Sequence, residues 1–131
     1  MKKRILVVED NRQNLYLVTF LLEKRGHEVI AAADGREGVE KAHSEKPDLI
    51  LMDILLPVMD GYEAVRRIKA GEGMDRIPIV AITSYAMTGD RERALAAGFE
   101  GYIEKPIVPE TFVSQVEKYL LHTKSVKQAE P

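Results

Sequence analysis

Three acidic side chains and one lysine stand at the ends of strongly apolar stretches of this sequence. Glu9 and Asp10 follow the first apolar run, Asp53 ends the run DLILMD, and Lys105 comes just after the last run. Like charges about 4 Å apart cost on the order of 4 kcal/mol at an effective dielectric constant near 20, so a cluster of these carboxylates needs a cation. Mg²⁺ prefers such oxygens together with water and phosphate oxygens. A carboxylate nucleophile with a metal ion, an ammonium group and a hydroxyl, here from Thr83, suits phosphoryl transfer.

Five short apolar runs alternate with amphipathic segments of helical length, which is the pattern of βα units around a parallel sheet. The runs are Arg4–Glu9, Glu28–Ala33, Asp48–Asp53, Ile77–Thr83 and Gly101–Glu104, and helices are predicted at Arg12–Arg25, Arg36–Glu45, Tyr62–Ala70, Asp90–Ala97 and Pro109–His122. Three of the runs lack the alternation of a half-exposed strand and should be central. The pattern therefore predicts a single α/β domain with a doubly wound, five-stranded parallel sheet.

The edge of such a sheet where the strands end is the expected place for a ligand. In doubly wound sheets, ligands bind at the carboxyl ends of the strands, near the point where the strand order reverses. The order 2-1-3-4-5 is favoured over that of the dinucleotide-binding folds, although the pattern alone does not determine it. With the first and third strands adjacent, Asp10 and Asp53 face each other and Glu9 lies close by.

Size and composition limit the classes of function. The 131 residues give room for one domain, and a net charge of −2 without a dense Lys/Arg block provides no footprint for nucleic acid or an anionic membrane. The chain has no cysteine and no apolar run of the roughly 20 residues that span a bilayer, and nothing at its N-terminus resembles a secretory signal. We expect a cytoplasmic monomer or weak dimer, with a domain at residues 1–121 and a flexible tail or truncated linker at residues 122–131.

Four short motifs occur in order along the chain: VVEDN (residues 7–11), LILMDILLPVMDG (49–61), ITSYAM (82–87) and YIEKPI (102–107). Each is weak alone, but together and with this spacing they resemble the receiver domain of the response regulators of two-component systems over residues 4–121. The resemblance is nearest to stand-alone cell-cycle receivers and to the receivers of hybrid histidine kinases, on the residue pairs at 10–11, 14–15, 86–87 and 89–90. It implies a flavodoxin-like (βα)5 fold with strand order 2-1-3-4-5.

The resemblance implies a phosphoaccepting signalling switch and not an enzyme, since such a domain assists only its own phosphorylation and dephosphorylation. Asp53 corresponds to the phosphoacceptor, and Lys105 and Thr83 correspond to the groups that bind phosphoryl oxygens. The implied ligands of Mg²⁺, with Mn²⁺ as an alternative ion, are the side chains of Glu9, Asp10 and Asp53 and the backbone carbonyl of Leu55.

The same resemblance implies how the switch works and what it contacts. Thr83 and Tyr102 correspond to a switch pair, whose movement changes the surface around helix 4, strand 5 and helix 5, and the Lys105–Pro106 peptide is implied to be cis. The phosphate donor is expected to be a histidine kinase or a histidine phosphotransfer protein. The output is expected to be regulated binding of a downstream protein or relay of the phosphate, with no contact to nucleic acid or insertion into a membrane.

The first helix carries more apolar residues than one narrow buried face requires. At about 100° per residue, one arc that should face the sheet contains Leu17, Val18, Leu21 and Leu22. Other residues close to the acidic site are predicted to dock a partner helix, namely Asn14, Leu15, Tyr16 and Phe20. The alternative for this second patch is a single wide buried stripe.

Several other functions are alternatives. A degenerate receiver that acts only as a docking module, and a receiver excised from a hybrid histidine kinase, share the four motifs. An aspartate-nucleophile phosphatase shares the sheet but needs a second Asp two residues after the nucleophile, where this chain has Leu55. A dinucleotide-binding module needs a glycine-rich turn after the first strand, where this chain has the sequence EDNR at residues 9–12.

Overall fold

The computed structural model describes residues 2–84 and 90–129, with side chains described up to Leu121. Over these residues, five strands alternate with five helices and one short 3₁₀ helix. The strands are β1 Arg4–Val8, β2 Glu28–Ala32, β3 Leu49–Asp53, β4 Ile79–Thr83 and β5 Gly101–Glu104, and the helices are α1 Arg12–Lys24, α2 Gly35–Glu45, α3 Gly61–Lys69, α4 Asp90–Ala97 and α5 Pro109–Ala129, with the 3₁₀ helix at Met74–Arg76. The predicted alternation of strands and helices is confirmed.

The strands form one parallel sheet in the order β2-β1-β3-β4-β5. Ile5 lies opposite Leu49 between β1 and β3, and Asp53 lies opposite Ile82 between β3 and β4. This confirms the predicted doubly wound sheet and its strand order. Because β1 and β3 are neighbours, Asp10 and Asp53 come to the same edge of the sheet.

Two apolar layers cover the sheet, which explains why its central strands are apolar throughout. Every residue of β3 and β4 is buried. Successive residues of a strand point to opposite faces, so Leu6 and Val8 pack on the side of α2, α3 and α4, whereas Ile5 and Val7 pack on the side of α1 and α5. The carboxyl ends of β3 and β4 are therefore held by packing on both faces.

Side-chain oxygens cap the first turns of three helices. They belong to Asn11 before α1, Asp34 before α2 and Asp60 before α3. Each accepts a hydrogen bond from a backbone N–H inside its helix, as in the 2.9 Å contact between Asn14 N and Asn11 Oδ1. Such a cap stabilises a helix by about 1 kcal/mol. The cap at Asn11 makes α1 start directly after the acidic pair, so this helix flanks the carboxyl edge of the sheet.

The end of α5 differs from the prediction. The sequence predicts an end at His122, but the helix continues to Ala129. No glycine or proline interrupts the chain between Pro109 and Ala129, and a helix continues readily through such a segment. The predicted helix end is wrong, whereas the division into a domain at residues 1–121 and a tail or linker after it stays a prediction. Neither α5 nor any other helix in the described ranges combines the length and apolarity needed to cross a membrane.

Gly35 begins α2 against the loop that joins β3 to α3. A Cβ added at this position would collide with the backbone carbonyl group of Met59. We expect Gly35→Ala to lower the free energy of unfolding by about 2 kcal/mol, because a main-chain segment must shift to admit the methyl group. Urea denaturation measures this, with Ser44→Ala on an exposed position of the same helix as the control. Equal stability of the two variants would mean that the loop moves aside freely.

Candidate functional site

Asp53 is the last residue of β3, and only 8% of its surface is exposed. Its Oδ1 accepts a hydrogen bond from Leu55 N at 3.2 Å. At the far end of the β3–α3 loop, Gly61 N donates to Ile54 O at 2.8 Å, and a Cβ added at Gly61 would lie 2.7 Å from Asp53 O. The two ends of the loop are therefore joined beside Asp53, which fixes the position of the predicted phosphoacceptor.

Lys105 reaches from the end of β5 to two of the predicted carboxylates. Its Nζ lies 2.9 Å from Asp53 Oδ2 and 2.6 Å from Glu9 Oε1, and its side chain is 10% exposed. The backbone N of Lys105 donates to Thr83 O at 2.9 Å, and the Lys105–Pro106 peptide is cis, as the resemblance implies. The structure thus brings the ammonium group, Asp53 and Glu9 together in one largely buried ion cluster.

Burial and ion pairing shift the pKa values of Glu9 and Lys105 in opposite directions. Burial raises the pKa of the Glu9 carboxyl, although Lys105 and the 3.1 Å hydrogen bond from Asn11 N work to lower it. Burial alone would lower the pKa of Lys105, but its hydrogen bonds to Asp53 and Glu9 outweigh that effect and raise this pKa. Lys105 therefore stays protonated. One ammonium group offsets only one of the acidic charges at this edge of the sheet.

The three acids also have the geometry of a cation site. One oxygen from each of Glu9, Asp10 and Asp53 lies within 4.8 Å of the other two. Asp10 is exposed, and no lysine or arginine within residues 2–84 and 90–121 forms an ion pair with it. Mg²⁺ binds through one or two carboxylates and completes its shell with water, so these residues fit the ion that the sequence predicts. The carbonyl of Leu55 as a further ligand stays a prediction.

The two residues of the predicted switch pair lie on the neighbouring strands β4 and β5. Thr83 ends β4 and is 1% exposed. It borders a cavity of about 220 Å³, whose other lining residues are Ile54, Leu55, Asp60, Tyr62, Asp90 and Arg93. Tyr102 on β5 is half-buried, and burial followed by the charges of Asp90 and Glu104 raises the pKa of its phenol. Residues 85–89, which include the end of the third motif, the subgroup pair at 86–87 and the first residue of the pair at 89–90, lie outside the described residues.

The outer face of α1 exposes two aromatic side chains one helical turn apart. Tyr16 is 75% exposed and Phe20 is 51% exposed, and Lys24 Nζ lies 5.9 Å from the centre of the Phe20 ring. Leu15 instead packs against the core between the sheet, α1 and α5, and Asn14 is half-buried. The prediction that Leu15 lies off the sheet-facing arc is wrong, because the buried stripe of α1 is wider than four residues. Tyr16 and Phe20 form the exposed patch.

Two interactions were not predicted. The guanidinium group of Arg93 in α4 lies 5.0 Å from the centre of the Tyr62 ring in α3, beside the cavity. His27 is buried, with its Nε2 2.9 Å from Glu117 Oε2 in α5. Each pair joins elements that only the complete fold brings together, so no local sequence pattern indicates it.

Comparison with known proteins agrees with this geometry. The family model for the response regulator receiver domain matches residues 5–117. The polar-differentiation response regulator DivK of Brucella anthropi is 41% identical over 120 residues, which cover 92% of this chain and 98% of that relative. DivK of Brucella ovis is 42% identical over the same shares of both chains.

Solved structures agree as well. The receiver domain of the sensor histidine kinase PA1611 from Pseudomonas aeruginosa PAO1, with a magnesium ion coordinated in its active site cleft, is 39% identical with a TM-score of 0.84, over 92% of this chain and 98% of that chain. A CheY-like receiver domain protein from Methanospirillum hungatei JF-1 is 31% identical with a TM-score of 0.87, over 95% and 98%. The predicted resemblance to response regulator receiver domains, nearest to stand-alone cell-cycle receivers and the receivers of hybrid histidine kinases, is confirmed.

Proposed function

Because the chain belongs to the response regulator receiver domains of two-component signalling, we propose that Asp53 accepts a phosphoryl group from a phosphohistidine in a partner protein. The family consists of phosphoacceptor switches and not of enzymes in the usual sense. One observation carries the proposal: Lys105 Nζ lies 2.9 Å from Asp53 within a group of three clustered carboxylates. A partly buried excess of like charge is costly for folding, so a ligand explains it better than a structural role.

The proposed transfer uses groups that the fold has already placed. A carboxylate oxygen of Asp53 forms a bond to phosphorus while the P–N bond to the donor imidazole breaks, and the imidazole keeps that electron pair. Lys105 binds a phosphoryl oxygen and offsets its charge, and the hydroxyl of Thr83 donates a hydrogen bond to another. Mg²⁺, or Mn²⁺ as an alternative, held by Glu9, Asp10, Asp53 and the carbonyl of Leu55, would neutralise further charge on these oxygens.

The proposed signal is a shift between two arrangements of one surface. Thr83 borders the cavity of about 220 Å³, so its hydroxyl has room to move toward a phosphoryl group. Tyr102, on the adjacent strand, packs against the same core cluster as Ala94 of α4, so we expect it to follow. The surface formed by α4, β5 and α5 then changes, which regulates a downstream protein or relays the phosphate.

The proposed partners are proteins. The net charge of −2 gives no attraction to a nucleic-acid backbone, and the donor is taken to be a histidine kinase or a histidine phosphotransfer protein. The similar PA1611 receiver holds magnesium in its cleft, which supports the ion proposed here. That receiver belongs to a sensor histidine kinase, so a second possibility is that this chain comes from a hybrid histidine kinase. We propose that the chain acts in the cytoplasm as a monomer or weak dimer.

Two alternatives are less well supported. A degenerate receiver that only docks would not require the acceptor, the ammonium group and the acids to converge as they do around Lys105. A phosphatase would need an acid two residues after Asp53, where Leu55 presents a hydrocarbon side chain that is 58% exposed.

Incubation of the full chain with acetyl phosphate and Mg²⁺ tests the proposed function. Intact mass should show one phosphoryl group per chain, and tandem mass spectrometry should locate it on Asp53. Excess EDTA should slow the reaction by about a hundredfold or more, since charge on the transferred oxygens is then left uncompensated. A chain that stays unmodified in Mg²⁺ would favour the docking-only receiver.

The aromatic pair on α1 gives a prediction about the phosphate donor. Phe20→Ala should slow phosphotransfer from a phosphohistidine protein by about tenfold, because exposed aromatic residues often contribute most to interface affinity. The rate with acetyl phosphate should not change. Transfer of radiolabelled phosphate measures both rates, with Leu121→Ala as a control of similar exposure, 56% against 51%. Equal slowing with both donors would discard the docking role of α1.

A further inference from the structure

Val58 lies at the tip of the β3–α3 loop in a backbone conformation that valine avoids. Its φ is +70°, and Met59 N donates to Pro57 O at 2.7 Å across it, so the three residues form a γ-turn with a positive central φ. This kind of γ-turn is rare and strained, and a positive φ is a genuine outlier for a β-branched residue. Glycine or asparagine adopts the conformation more easily.

The surroundings of the loop require the turn but not the valine side chain. Pro57 O also lies 3.5 Å from Gly35 N, and Met59 packs against the core on the side of α2 and α3, so the backbone path is determined from both sides. The Val58 side chain is 77% exposed and belongs to neither core cluster of the described residues. Packing within this part of the chain therefore does not compensate for the strain.

The same loop places Val58 at the rim of the proposed phosphorylation site. The loop starts at Asp53, and its ends are joined by the hydrogen bond from Gly61 N to Ile54 O. Leu55, whose N–H binds Asp53, is also apolar and 58% exposed. A small phosphate donor can reach Asp53 without covering this rim, whereas a protein that presents a phosphohistidine to a buried carboxylate must cover it. Exposed apolar side chains at this point fit an apolar patch on such a protein.

We propose, on the basis of the proposed function, that Val58 is a specificity-determining residue whose exposed side chain contacts the phosphohistidine protein that phosphorylates Asp53. Strain that folding does not need is typically retained at functional positions. The occupant is the donor and not the downstream target, because Val58 lies in the loop that carries Asp53. The surface assigned to the target contains β5, which β4 separates from β3.

The test compares Val58→Asn and Val58→Ile with Leu121→Asn as a control, since α5 begins beside the carboxyl edge of the sheet and runs away from it. Two phosphate donors are compared. One is acetyl phosphate. The other is the protein that labels the parent chain fastest among a panel of purified histidine kinases and histidine phosphotransfer proteins. We expect Val58→Asn to unfold at a higher temperature, because asparagine tolerates a positive φ, yet to accept phosphate from the protein about tenfold more slowly. Val58→Ile and Leu121→Asn should keep the parent rate, and acetyl phosphate should label all variants alike.

Each other outcome overturns the inference in a recognisable way. If Val58→Asn accepts phosphate from the protein donor at the parent rate, Val58 does not contact that donor. Normal labelling by acetyl phosphate would then leave the proposed function intact. Equal slowing of Val58→Asn with both donors would mean that the substitution distorts the site. A lower unfolding temperature of Val58→Asn would mean that valine is not strained at this position. Slowing of Val58→Ile as large as that of Val58→Asn shows that apolar character is irrelevant. If no protein of the panel labels the parent chain, the proposed partner fails together with this inference.

Discussion

An Asp53→Asn variant should gain no phosphoryl group from acetyl phosphate and Mg²⁺, whereas the parent chain gains one. A neutral amide is a far weaker nucleophile toward phosphorus than a carboxylate. The substitution keeps the side-chain shape and leaves the 2.6 Å contact between Lys105 and Glu9 available, so the fold should persist. Intact mass measures the adduct, and circular dichroism checks the fold.

The specificity of this result depends on a matched acid outside the cluster. Asp75, exposed in the 3₁₀ helix, serves this purpose, and Asp75→Asn should gain a phosphoryl group like the parent chain. A phosphoryl group that still forms on Asp53→Asn would move the acceptor to another side chain, with Glu9 and Asp10 the other acids of the cluster. That outcome would refute the assignment of the phosphoacceptor and leave the membership of the family intact.

A Lys105→Met variant should be both slower and less stable than the parent chain. Labelling by acetyl phosphate should slow by about a hundredfold, because a positive group aimed at the transferred oxygens contributes on the order of 3 kcal/mol to the transition state. In EDTA, the free energy of unfolding should fall by about 3 kcal/mol, since the buried carboxylates of Glu9 and Asp53 lose the ammonium group that pairs with them. Urea denaturation with and without Mg²⁺ measures this, and added Mg²⁺ should restore part of the loss.

Asp10→Asn is the matched variant for Lys105→Met, because it should change the free energy of unfolding in the opposite direction. It removes one carboxylate from the same cluster, so in EDTA it should raise the free energy of unfolding by about 1 kcal/mol. It should also reduce the stabilisation by Mg²⁺, because it replaces a charged ligand with a neutral one. If Lys105→Met and Asp10→Asn change stability in the same direction, charge imbalance is not what governs this site.

The fold and the meeting of the acids follow from features that are local in sequence. Apolar runs without alternation predict buried central strands, and Asp53 is at the end of such a run. In a parallel sheet the carboxyl ends of the strands share one edge, so the sequence alone places Asp10, Asp53 and Lys105 together. The strand order needed more than the pattern, since only the resemblance of the motifs separated it from the order of dinucleotide-binding sheets.

Other features depend on contacts between distant residues. The 2.6 Å contact between Lys105 and Glu9 results from a choice of side-chain direction that only the assembled edge determines. Nothing in the sequence marks Val58 for a positive φ, because the usual signal is a glycine or asparagine. Helical periodicity misplaces Leu15, because it gives the direction of a buried face but not its width.

The contrast between the fully buried strand β3 and the exposed side chains of the loop that follows it has a consequence for evolution. Leu55 and Val58 are 58% and 77% exposed, so mutations there leave the packed interior untouched. After a gene duplication, substitutions at the proposed donor contact Val58 would let two copies answer different upstream signals, while both retain the proposed acceptor Asp53. Crosstalk between sister pathways can therefore be suppressed by a few surface mutations, with little effect on the buried strand β3 that carries Asp53.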